Sequence, residues 1–175
     1  KLNGFGAGII ILLSACAGGS DATSDALSIS GMQGLDATDT LVLPTSGTAS
    51  YRGFLALQLP SAPEPGSDRA AYTGSLALSV DFGLASGQLS GTAEDFRGPS
   101  DAELLGRLFV TDGSIDVAAD VATDYTFEAG LSGTLDGDGL RNSVVTGKMT
   151  GDFIGGDATL VSGVVYGSVT TVLGV

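Results

Sequence analysis

An all-β fold, a single eight-stranded antiparallel up-and-down β-barrel behind a leader and a flexible tether, is what this sequence predicts. Three observations carry that prediction. Apolar and polar residues alternate with period two through most of residues 41–175. Turn chemistry punctuates the alternating runs at short intervals. No stretch of the same region sustains a helical apolar stripe. Tyr72, Leu76, Leu78, Val80 and Phe82 share one parity, while Thr73, Ser75, Ser79 and Asp81 occupy the other. Tyr125, Phe127, Ala129, Leu131 and Leu135 repeat the pattern against Thr126, Glu128, Ser132, Thr134 and Asp136. Each is the signature of a strand with one dry face and one wet face.

Composition narrows the chemistry. The chain has 175 residues, about one domain's worth, with 43% hydrophobic and 15% charged residues, so a packed core is feasible. Seven Lys and Arg face 20 Asp and Glu, for a formal charge of −13. That balance excludes nucleic acid as a partner, because binding it needs a basic stripe. There is no His, which removes Ser-His-Asp and Cys-His nucleophiles and imidazole metal sites. One Cys permits neither an internal disulfide nor a thiolate cluster. The sequence therefore predicts no enzyme, no catalytic residue, no cofactor and no metal site.

Residues 1–15 read as a lipoprotein signal peptide. Lys1 precedes the apolar run Phe5-Gly-Ala-Gly-Ile-Ile-Ile-Leu-Leu13, which is too short to span a bilayer and fits a leader's apolar region. No initiator Met precedes Lys1, so the leader is expected to begin upstream. Leu13-Ser14-Ala15-Cys16 resembles a bacterial lipobox. In that reading the chain is cut before Cys16, whose thiol carries lipid and anchors the protein in a membrane. The alternative is an ordinary leader cut after Ala15-Cys16-Ala17, with Cys16 incidental. Ala17 is not Asp, so nothing visible retains the lipoprotein at an inner membrane. Loss of Lys1 with the leader takes the charge to −14.

Residues 16–40, after the anchor Cys, are small, polar and acidic without a sustained period, and read as a tether. As a coil its end-to-end distance is about 25–30 Å. The barrel domain follows over 41–175, with strands expected at 48–59, 71–82, 85–95, 104–111, 114–121, 124–135, 142–153 and 158–173. Asp112-Gly113 and Asp136-Gly-Asp-Gly139 are tight-hairpin chemistry. In such a meander the loops at 60–70, 96–103, 122–123 and 154–157 share the end far from the tether. The turns near 83, 112 and 137–141 lie beside it, with the C-terminus. The two longest connections, 60–70 and 96–103, carry Pro63, Pro65, Arg69, Arg97 and Pro99. Loops on a rigid scaffold are where a binding face is expected, so these five are the candidate partner-binding residues; the equal alternative is that both loops are merely tolerant tips.

Several segments resemble a known family. Leu43-Pro-Thr-Ser-Gly-Thr-Ala-Ser-Tyr-Arg-Gly53 is similar to the first strand of the transferrin-binding-protein-like β-barrel family of surface lipoproteins. Val80-Asp-Phe82 with Ser86-Gly-Gln-Leu-Ser-Gly91 resembles that family's second hairpin. Gly151-Asp-Phe-Ile-Gly-Gly-Asp-Ala158 with Gly163-Val-Val-Tyr-Gly167 resembles its closing strands. The likeness implies an eight-stranded lipidated barrel in the outer membrane, displayed on the surface of a Gram-negative cell and binding a host or environmental protein. Ile154 and Gly156 depart from an aromatic and a proline in the family's closing motif, and Leu160, Val161 and Ser162 replace an acidic residue and paired glycines. Only one barrel fits, without the handle domain of the large receptors, so transferrin binding is not carried over.

Other constellations read more plainly. Asp136 and Asp138 resemble part of a calcium loop, but the following Leu-Arg-Asn-Ser-Val lacks the remaining ligands, which favours a hairpin turn. Asp81, Asp116, Asp120 and Glu128 sit at outward positions or in turns, where solubility accounts for them. Lys148 and Asp152 flank Thr150 as a surface ladder. Small inward residues leave two options, an interior cavity for a small ligand or tight strand closure. Two further readings stand beside partner binding: a structural coat lipoprotein without a ligand, and an integral outer-membrane barrel. Six per cent aromatics, no Trp and a terminal Val175 count against the last.

Overall fold

The alternation becomes a sheet with an apolar inside. Tyr72, Leu76, Leu78 and Val80 are buried, while Thr73, Ser75 and Ser79 between them are exposed. The computed structural model describes residues 3–5, 11–15, 36–60, 68–85, 88–137, 140–155 and 158–171. Its strands are β1 (Asn3–Phe5), β2 (Ile11–Ala15), β3 (Thr48–Pro60), β4 (Arg69–Asp81), β5 (Leu89–Arg97), β6 (Glu103–Ile115), β7 (Phe127–Gly137), β8 (Leu140–Ile154) and β9 (Leu160–Thr171). The seven long strands β3 to β9 form an antiparallel meander curled into a nearly closed barrel-like sheet. β2 pairs antiparallel with both β3 and β9, and β1 pairs with β9. Cys16 and the rest of the tether as far as residue 35 lie outside the described residues.

Within 41–175 the strand count is seven, not the expected eight. The segments 104–111 and 114–121 do not form a hairpin at Asp112-Gly113; β6 runs through that dipeptide. Asp112 takes φ 55°, and the β6–β7 register shifts between Thr111 and Ser114, so the dipeptide makes a β-bulge. The expected strand 114–121 stops at Ile115. Beyond it the Asp116 carboxylate accepts the Ala118 N–H at 2.9 Å and the Asp120 carboxylate accepts the Ala122 N–H at 3.1 Å. These local bonds hold turns where a ladder was expected.

One strand fewer reverses every later loop. The strand ends Pro60, Arg69, Arg97, Glu103, Gly137 and Leu140 share the far end with Thr171, whereas Asp81, Leu89, Ile115, Phe127, Ile154 and Leu160 share the near end with residues 36–47. The loops 60–70 and 96–103 are distal as expected; 122–123 and 154–157 are not.

The inward residues fill the barrel. Tyr51, Tyr72, Phe96, Phe127 and Phe153 are fully buried, together with Leu55, Leu57, Leu59 and Leu76. Phe153 is the hub at the near end, its ring centroid 6.1 Å from Tyr51, 5.6 Å from Phe82 and 5.7 Å from Phe127. Offset, tilted rings at these distances add to the area they bury. Residues 36–43 cross this mouth. The Thr38 N–H donates to the Phe153 carbonyl at 2.7 Å, the Thr38 hydroxyl donates to the Gly155 carbonyl, and Ala37 bridges Ile154. Thr38 and Leu43 are buried there. The Tyr51 hydroxyl donates to the Ala158 carbonyl at 2.8 Å and ties the β8–β9 loop to β3.

Glycines let β8 and β9 approach. Gly151 faces Gly163 across the ladder, and a Cβ on Gly151 would lie 2.1 Å from the Ser162 carbonyl oxygen and 2.7 Å from the Phe127 ring. No larger residue fits without moving backbone.

Candidate functional site

The far-end rim holds the candidate residues that fall within the described chain. β5 reaches it by way of a bulge: Asp95 takes φ 57°, which changes the strand's parity and turns Phe96 into the core. The next residue, Arg97, is thereby aimed outward and forms an ion pair with Glu103 at the start of β6. Pro99 opens the short 3₁₀ turn Pro99–Asp101, a position where its missing N–H costs nothing. The turn is closed by the Gly98 N–H on the Ala102 carbonyl at 2.7 Å. Gly98 itself lies flat on Tyr72; a Cβ there would be 2.4 Å from the ring. The core thus seats this loop from beneath.

Asp95, Asp101 and Gly106 take positive φ along β5, the turn and β6 at this rim, at 57°, 60° and 117°. Their bends open a notch of about 110 Å³ between β5 and β6, lined by Arg97, Glu103, Leu105 and Gly106. Leu105 is 68% exposed beside it. Arg69 begins β4 on the same rim, opposite Pro60. Arg97 pairs with Thr73, four residues along β4 from Arg69, so the two arginines stand roughly 13 Å apart along the strand direction. The fold unites Arg97, Pro99 and Glu103 and sets Arg69 at a distance. Pro63, Pro65 and Cys16 lie outside the described residues.

A larger groove, which the sequence reading missed, lies on the outer wall toward the near end. It has a volume of about 510 Å³ and is lined by Ser114, Asp116, Tyr125, Glu128, Lys148 and Thr150 among others. Glu128 and Lys148 form an ion pair across β7 and β8. The Thr150 hydroxyl oxygen is enclosed, with no hydrogen-bond partner among the described residues. Asp152, next outward on β8, accepts the Thr126 N–H at 3.0 Å. Burial pushes its carboxyl above the ordinary range, against the opposing pull of the Thr126 hydrogen bonds. Loop 116–126 forms one wall of this groove, so a reading that made 114–121 a strand had no signal for it.

Lys148 makes its exposed cross-strand pair with Glu128, while Asp152 bonds Thr126. Asp136 accepts the Asn142 N–H at 3.0 Å and closes the β7–β8 hairpin. Compared with protein-family models, curated proteins and solved structures, the chain finds no match.

Proposed function

We propose that this chain is a surface-displayed bacterial lipoprotein, lipidated at Cys16 in the outer membrane, with a barrel of the transferrin-binding-protein-like kind. Its work is contact and not catalysis: it binds a host or environmental protein through the far-end loops, with Arg69, Arg97, Pro63, Pro65 and Pro99 on the contacting face. The observation that carries this reading is the polarity of the barrel. Residues 36–47, on the Cys16 side, join it at the near end, while the strand ends that bound both proline-bearing loops, Pro60, Arg69, Arg97 and Glu103, are at the far end.

The wall chemistry favours this over a membrane-spanning barrel. Ser50, Thr73, Ser75, Ser79, Ser132, Thr134 and Thr146 are exposed on the outside, with the ion pairs Glu94–Arg107 and Glu128–Lys148. A barrel in lipid needs the inverse, an apolar outer band. The same acidic, hydroxyl-rich wall favours the coat reading, in which no specific partner exists.

The test uses intact cells displaying the full chain. Capture of a serum or culture-medium protein is expected, and replacing 61–67 with Gly and Ser together with Arg97→Ala and Pro99→Ala is expected to abolish it. Equal capture by the loop variant overturns partner binding through the rim. Cys16→Ala is expected to leave the chain removable from membranes by high salt; resistance to the wash overturns the lipid anchor.

A further inference from the structure

The seven long strands β3 to β9 each run against their neighbour. An odd number in such a meander leaves the first and last strands pointing the same way. β3 and β9 therefore cannot meet each other as an antiparallel pair. A strand running against both fits the seam, and β2 is that strand. Leu12, Leu13 and Ser14 pair with Phe54, Gly53 and Arg52 on one side and with Ser162, Val161 and Leu160 on the other. Without β2, both edges present unpaired N–H and C=O groups.

We propose that the seam between β3 and β9 is a strand-acceptor site, filled by Ile11–Ala15 before processing and afterwards by an extended apolar segment of a partner polypeptide. The proposal rests on the lipoprotein reading, because cleavage before Cys16 is what removes β2. The register specifies the occupant. Residues 51 and 53 of β3, and 161 and 163 of β9, are on the inward parity. The register sets Gly163 opposite the first inward position of the guest, Gly53 and Val161 opposite the second, and the ring-bearing Tyr51 opposite the third. The guest motif is large apolar, any residue, large apolar, any residue, small; Ile11-Leu-Leu-Ser-Ala15 has that form. An extended chain satisfies both edges through its backbone, as in β-strand addition elsewhere. A second copy is disfavoured as occupant because processed chains of charge −14 repel one another.

The test keeps the full chain and adds a protease site within 17–35, cut only after folding. The N-terminal fragment is expected to stay bound and to exchange with a labelled peptide of residues 3–15 bearing a solubilising Lys tail. With the seam emptied, amides of 51–54 and 160–163 are expected to exchange at least roughly tenfold faster, and added peptide is expected to restore their protection. A peptide carrying Leu13→Asp is expected to restore none. Protected edge amides after the fragment has left mean that β3 and β9 close on each other, and overturn the proposal. A dimer protected at the same amides makes a second copy the occupant and likewise overturns it. The mass of the chain recovered from membranes is a separate readout. A chain still carrying residues 1–15 overturns the lipoprotein reading, and partner occupancy with it, while the exchange experiment still reports the acceptor.

Discussion

Tyr51 joins two jobs in one side chain. Its ring packs on Phe153 and its hydroxyl donates to Ala158, so the near-end loop is pinned from within the core. Tyr51→Phe keeps the ring and leaves the Ala158 carbonyl unpaired, at an expected cost of about 1 kcal/mol in urea unfolding. Burial pushes the Tyr51 hydroxyl up to about 12. Neutral Tyr51 thus contributes stability that is intact below pH about 10 and is lost as pH rises toward about 12. Alkaline titration of phenolate absorbance is expected to lose a transition near pH 12 in the Phe variant. Asp152 has the same sign from the same cause. Its raised pKa means that the protonated form suits the fold, so its contribution is present at low pH and lost as pH rises through the folded value. Asp152→Asn preserves an acceptor for the Thr126 N–H and is expected to raise the thermal midpoint at neutral pH, with the gap narrowing in acid.

At the scale of elements, the β8–β9 pairing depends on small residues where backbones touch. Gly151→Ala places a methyl 2.1 Å from the Ser162 carbonyl oxygen and 2.6 Å from the Gly163 Cα, an overpacking expected to cost about 1–3 kcal/mol in denaturant unfolding. Gly130→Ala is the control. Its Cβ would meet nothing closer than 3.4 Å, and the change is expected to stabilise by roughly 0.5–1 kcal/mol. Elements also show what could be read in advance. The alternation around Tyr72–Val80 and Phe127–Leu135 announced buried faces that the structure has. Asp112-Gly113 did not announce its outcome, because a hairpin and a bulge ask for the same positive-φ chemistry and only the strands on either side decide. Ile115, Val117, Ala119 and Val121 alternate like a strand, yet the Asp116 and Asp120 carboxylates take the local amides first. Arg97 and Pro99 stand on the expected rim because β3 to β5, which lead to them, match the expected strand count. The groove around Tyr125 and Thr150 is built from chain beyond the bulge, and no local pattern points there.

For the whole molecule, charge and topology set the terms. Twenty acidic groups against seven basic ones repel one another in the compact state. The thermal midpoint is expected to rise as salt is added from very low ionic strength to about 0.15 M, where screening shortens the reach of each charge to about 8 Å. The ion pairs Arg97–Glu103, Arg107–Glu94 and Lys148–Glu128 are solvent-exposed and offset little of this repulsion. The position of Ile11–Ala15 also orders events in time. Each hairpin of the meander joins neighbours in sequence and can zip as soon as its two strands exist. Ile11, by contrast, meets Gly163 about 150 residues later. Until β9 exists, Ile11–Ala15 has only one of its two partner strands, so the seam is the last part of the ring to shut.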